Sequence, residues 1–176
     1  TVMEVLTLSR TIASFQPSAG QPTCFVEKFI RSFCVETDLD GTTDSEYFSY
    51  YCELAFDMNL IGLSTVLPKY HTIRAGSRFK VGDKFSPRVW GNDVNPKSGR
   101  SGAYHSKQII IAPDTEVKKV WDFQIINGGL CVNGECKQYE KIAINDGLTG
   151  EDLLAWFKYP KPFKGQIICW NENVKY

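Results

Sequence analysis

From residue 67 onward the chain reads as a run of short β-type segments separated by turn signals. Residues 70–74, 84–90, 107–111, 117–126, 129–132, 135–139 and 166–170 are rich in Val, Ile, Phe, Tyr and Trp and have strand length. Asn133-Gly134, set between Val132 and Glu135, is the strongest two-residue hairpin signal. It places Cys131 and Cys136 on opposite strands as a close, non-hydrogen-bonded pair. Residues 5–10 alternate and form a first strand, followed by a loop over 14–22. Three stretches carry helical spacing instead. Residues 23–33 repeat apolar groups at Phe25, Val26, Phe29, Ile30 and Phe33. Thr43-Asp44-Ser45-Glu46 has capping-box spacing before a stripe of Phe48, Tyr51, Cys52, Ala55 and Met58, and Thr149-Gly150-Glu151-Asp152 opens a short helix through Phe157. Many strands and few helices predict an α+β fold: a small, mostly antiparallel β-barrel with flanking helices.

The length of 176 residues fits one domain over the whole chain. With 43% hydrophobic and 13% aromatic residues it can build a core, which excludes disorder as the main state. No apolar run approaches the roughly 18 residues of a membrane span. Thr1-Val2-Met3-Glu4 lacks a basic region before an apolar stretch, so no secretion signal is expected and the expected location is cytoplasmic. Six cysteines in such a chain predict free thiols. A zinc site is not expected, because no CxxC pairs or His clusters occur. No cofactor is expected either.

The net charge of zero conceals a division. Residues 35–68 hold seven acids and no Lys or Arg, whereas residues 69–107 hold nine bases against two acids. Such separation makes a local positive field that suits an anionic partner; two solvated faces that pair with each other would look the same. Residues 35–67 therefore read as an acidic, helical insertion, one that could dock a protein partner or fold over a basic cleft. Residues 91–103, with three Gly, Lys97 and Arg100, form a long loop of the kind used for binding.

The basic stretch opens with Lys69-Tyr70-His71-Thr72-Ile73-Arg74 and continues to Gly82-Asp83. This Lys-x-x-Thr-x-Arg pattern with a Gly-Asp turn resembles the signature of the ASCH domain, a β-barrel family of the PUA-like superfamily; Leu67 stands where that signature has its first Gly. Ala143-Ile144-Asn145-Asp146-Gly147-Leu148 followed by a helix resembles the family's late strand, acidic residue and helix, and residues 165–170 sit where its last strand would. The resemblance covers 68–176 best, residues 5–33 loosely, and leaves 35–67 as the insertion. It implies recognition of RNA or of a modified nucleoside or nucleotide. Some members are hydrolases that remove the acetyl group from N4-acetylcytidine, and others resemble ribonucleases. In those terms Lys69, Thr72 and Asp146 occupy the catalytic positions, with Asp in place of Glu.

Read from the residues alone, a Thr hydroxyl becomes a nucleophile beside a base, and a Lys of depressed pKa can be that base. Strand alternation would set Lys69 and Thr72 on opposite faces unless the strand starts after Lys69, which Pro68 favours. Arg74 offers a planar fork for phosphate or carbonyl. Arg78, Arg88 and Lys107 add positive charge, and Trp90 and Tyr104 supply stacking platforms for a base. Trp156 and Trp170 read as core. His71 and His105, the only histidines, read as polar surface or loop residues without a third metal ligand.

Overall fold

The computed structural model describes residues 3–34 and 45–176. These build an α+β structure of two sheets and four α-helices. The first sheet holds β1 (Glu4–Leu8), β3 (Lys84–Trp90), β4 (Gln108–Ile110) and β5 (Thr115–Glu116), with β3 pairing all three others. The second has the order β2 (His71–Ala75), β9 (Phe163–Cys169), β6 (Lys119–Ile126), β7 (Gly129–Val132), β8 (Glu135–Cys136). Pairing among the described strands is antiparallel except for β1 with β3. The two sheets do not close into one barrel among the described residues.

Strand β9 ties the halves together. It lies between β2 and β6, and Gly165 to Cys169 are buried throughout, as expected of a strand covered on both faces. Ile167 packs into one core with Phe123, Ile125, Ile142 and Leu153, while Ile168 and the following Trp170 pack into the other with Phe29, Phe85 and Val89. Side chains alternate across a strand, so neighbouring residues serve opposite cores. Gly165 is required here, because a Cβ would sit 2.2 Å from the Arg74 carbonyl oxygen on β2.

The helices cover these cores. Helix α1 (Phe25–Arg31) buries Phe25, Val26, Phe29 and Ile30, the face read from the sequence. Helix α2 (Glu46–Met58) starts at Ser45, whose hydroxyl accepts from the Phe48 amide at 3.5 Å, and stops at Asn59 in the left-handed region. Its Tyr47 stacks on Phe33, with ring centroids 3.9 Å apart. Thr43 and Asp44 of the expected capping box lie outside the described residues, as does 35–42 of the acidic insertion. Helix α4 (Gly150–Trp156) has the expected cap, with Thr149 Oγ1 accepting from the Asp152 amide.

Helix α3 (Tyr139–Asp146) corrects the sequence reading, which placed strand residues at 135–139 and again ahead of Asp146. β8 is only two residues long, and the chain turns helical at Tyr139. Ile142 and Ala143 supply the helix's buried apolar groups, too few for a periodic signal. No helix among the described residues is long and apolar enough to cross a membrane.

Candidate functional site

Lys69 lies two residues ahead of β2, so the parity problem does not arise: the strand begins at His71. Its backbone is clamped on two sides. The Lys69 amide donates to the Lys28 carbonyl of α1 at 2.9 Å, and the Tyr70 amide to the Asn145 carbonyl of α3 at 2.8 Å. The Lys69 side chain is 1% exposed. Nζ donates to Asp146 Oδ1 and to the Asp146 carbonyl oxygen, both at 2.5 Å, and lies 4.3 Å from the Phe25 ring centroid. Asp146 is the last residue of α3, so the ammonium also meets the negative end of that helix. Lys28 does the same from α1, with Nζ donating to the Gly147 carbonyl at 2.7 Å. Gly147 takes φ 75°, and a Cβ there would meet Lys28, Phe25 and Lys69 at 3.2–3.4 Å.

Burial dominates the proton affinities. It lowers the Lys69 amine to about 8, against the pull of the Asp146 carboxylate. Burial raises Asp146 above the usual carboxylate value, opposed by Lys69 and then Arg74. The two form a buried ion pair.

Thr72 and Arg74 share a face of β2. Thr72 is buried, and Arg74 is half-buried with Nη2 donating to the Thr7 carbonyl of β1 at 2.5 Å. Lys69, Thr72, Arg74 and Asp146 line one cleft of about 190 Å³. Trp90, from the end of β3, and Tyr104, from the long loop, form one wall, with ring centroids 5.4 Å apart at 47°. Tyr104 is 86% exposed and held at φ 65°. Trp156 and Phe157, at the end of α4, form another wall. A larger hollow of about 520 Å³ shares Leu8, Ser9, Trp90 and Ala103 with this cleft.

Three basic candidates lie elsewhere. Arg78 is exposed, pairs with Glu4 at 3.1 Å and borders a neighbouring hollow beside Arg74. Arg88 turns back on its own sheet, donating to Ser86 Oγ and Gln108 Oε1. Lys107 anchors the long loop through its amide, which donates to the Asp93 carboxylate. None of the three lines the cleft.

Two further sequence readings change. Trp156 is half-buried and lines the cleft rather than filling the core; its stripe with Leu153 runs past the end of the packed face. Trp170 is buried as expected, its indole donating to Ser32 Oγ and the Lys69 carbonyl. His71 is fully buried rather than a surface residue. Its Nε2 meets the Tyr176 hydroxyl at 2.5 Å, which also accepts from Asn145 Nδ2. Its Nδ1 lies 3.7 Å from Asp146 Oδ1. Burial, then the Lys69 charge, push this imidazole well below its ordinary pKa, so it stays neutral. The described acids of the insertion do not reach the cleft: no residue of 45–67 lines it, though Met58, Asn59 and Ile61 line the larger hollow.

Thr7, Ser9, Phe25, Trp156 and Phe157 are cleft residues the sequence reading missed. They come from β1, α1 and α4, and no motif joins them. Among the described residues there is no group of three or more His, Cys, Asp and Glu placed to hold a metal ion. The arrangement offers a buried ammonium–carboxylate pair, a hydroxyl, a guanidinium and an aromatic wall on one concave surface. Comparison with protein-family models, curated proteins and solved structures finds no match to this chain.

Proposed function

We propose that the chain is an ASCH-like domain whose cleft binds RNA or a modified nucleoside or nucleotide. The observation that carries this reading is the convergence of Lys69, Thr72, Arg74 and Asp146 with Trp90 and Tyr104 on one cleft, from parts of the chain far apart in sequence. Trp90 and Tyr104 offer π-faces on which a base can stack, which favours an unpaired base. Arg74 presents a guanidinium for a phosphate or a base carbonyl. Lys69 and Asp146, locked together, provide a donor and an acceptor for a base edge. The adjoining hollow gives room for a ligand larger than one nucleoside.

The test is a titration of the whole chain with a single-stranded RNA oligonucleotide and with N4-acetylcytidine, followed by tryptophan fluorescence. Quenching is expected with both. RNA affinity should fall with salt at a log–log slope of roughly −0.7 per phosphate contact. No quenching by either ligand would end the reading.

A hydrolase on the same cleft is a second reading, favoured by one observation: Lys69, whose amine burial lowers to about 8, and Thr72 line the same cleft. A neutral amine can take the hydroxyl proton and ready Thr72 for attack on an acetyl carbonyl. Thr72→Val should then abolish release of acetate from N4-acetylcytidine. Equal release by the variant, or none by the parent chain, removes this second reading and leaves the first standing.

A further inference from the structure

The β7–β8 hairpin carries a feature that the cleft does not use. Asn133 and Gly134 have φ 49° and 81°, the left-handed pair of a type I′ turn, and this turn fixes the register on either side. Val132 faces Glu135, and Cys131 faces Cys136 directly. In a two-residue hairpin the second of these pairs is the non-hydrogen-bonded one, where Cα atoms approach to about 4.5 Å. That lies inside the range a disulfide spans. The two Sγ atoms are 3.5 Å apart. Cys136 is exposed and Cys131 is buried behind it.

We infer that Cys131 and Cys136 form a redox-active dithiol, converted to an intramolecular disulfide by exchange with a low-molecular-weight disulfide of the glutathione class. The exposed Cys136 thiolate attacks one sulfur of that oxidant. A mixed disulfide forms on Cys136, and the first small thiolate leaves. Cys131 then gives up its proton and attacks Cys136 Sγ, and the second small thiolate departs. Two protein thiols are oxidised to one disulfide, one small disulfide is reduced to two thiols, and the released protons pass to the departing thiolates. The division of labour follows from access: the outer sulfur is reached first, and the inner one resolves it. The clasp would close the hairpin from which residues 137 and 138 lead into α3, the helix that carries Asp146. The β7–β8 hairpin lies at the opposite edge of the second sheet from β2, which carries Thr72 and Arg74.

Trypsin leaves both cysteines in one peptide, residues 120–137, while Cys52 falls in a different one. The whole folded chain is incubated with mixtures of oxidised and reduced glutathione, quenched with acid and mapped by mass. The expected product is peptide 120–137 short of two hydrogens and free of glutathione, while exposed Cys52 carries glutathione. Cys131→Ser should trap glutathione on Cys136. Half-conversion in the folded chain should need roughly tenfold less oxidised glutathione than in urea, because the turn holds the sulfurs together. A persistent glutathione adduct on Cys136 of the parent chain overturns the inference. So does equal oxidation of folded and unfolded chain, or a Cys131→Ser variant that takes up no glutathione at Cys136.

Discussion

Replacing Lys69 with Met keeps the length of the side chain and removes its charge. The carboxylate of Asp146, 6% exposed, then loses the donor 2.5 Å away. Breaking a buried pair from one side costs about 3–5 kcal/mol, because a charge is left without compensation. With a urea m-value of about 2 kcal/mol/M, the unfolding midpoint should fall by roughly 1.5–2.5 M at pH 7. The pH dependence has a definite sign. Burial already raises Asp146 in the folded chain, and loss of Lys69 removes the largest opposing influence. A carboxyl with a raised folded pKa binds its proton more tightly folded than unfolded. Its penalty is therefore absent below the unfolded pKa and grows as pH rises through the folded one. The gap between parent and Lys69→Met should narrow when urea melts are repeated near pH 4.5. Adding Asp146→Leu to Lys69→Met should recover part of the loss, since neither charge is then stranded. A midpoint change under 0.5 M at pH 7 (about 1 kcal/mol), or a gap that ignores pH, would refute the argument from the buried pair.

Trp90→Ala and Tyr104→Ala should each weaken binding of single-stranded RNA by about 1–3 kcal/mol, measured by anisotropy of a labelled oligonucleotide. Tyr104 is so exposed that Tyr104→Ala should leave the thermal midpoint within about 2 °C of the parent, separating binding from folding. His71 is kept neutral by burial, so its folded pKa lies below the unfolded one; the stability tied to it is present above pH 6.5 and is lost as pH falls below that value. Between pH 7.5 and 5.5 the parent should lose up to roughly 1.4 kcal/mol from this source, and His71→Phe should lose less over the same window in urea melts.

Much of the fold was legible because periodicity is local. The strand over Lys84–Trp90, the Asn133-Gly134 hairpin, the apolar face of α1 and the Thr149 cap all follow from neighbours within a few residues. Helix α3 was not legible, since its short apolar face carries no long period and its stability comes from packing on the second sheet. The candidate site divided the same way. Lys69, Thr72 and Arg74 lie within six residues and stand out as a pattern, whereas Trp156 looked like core because a helical stripe does not reveal where the packed face ends.

By itself the sequence determined which segments extend, which coil and where the turns fall, because backbone preference and side-chain alternation act over short range. It also determined that the cationic stretch begins at Lys69. Only the tertiary structure decided that Lys69 reaches across 77 positions to Asp146, and that Arg78, Arg88 and Lys107 stay outside the cleft. The physical reason is that a cleft is made where separate elements fail to fill the space between them. That failure depends on how β2, α3 and α4 pack, which no local preference encodes.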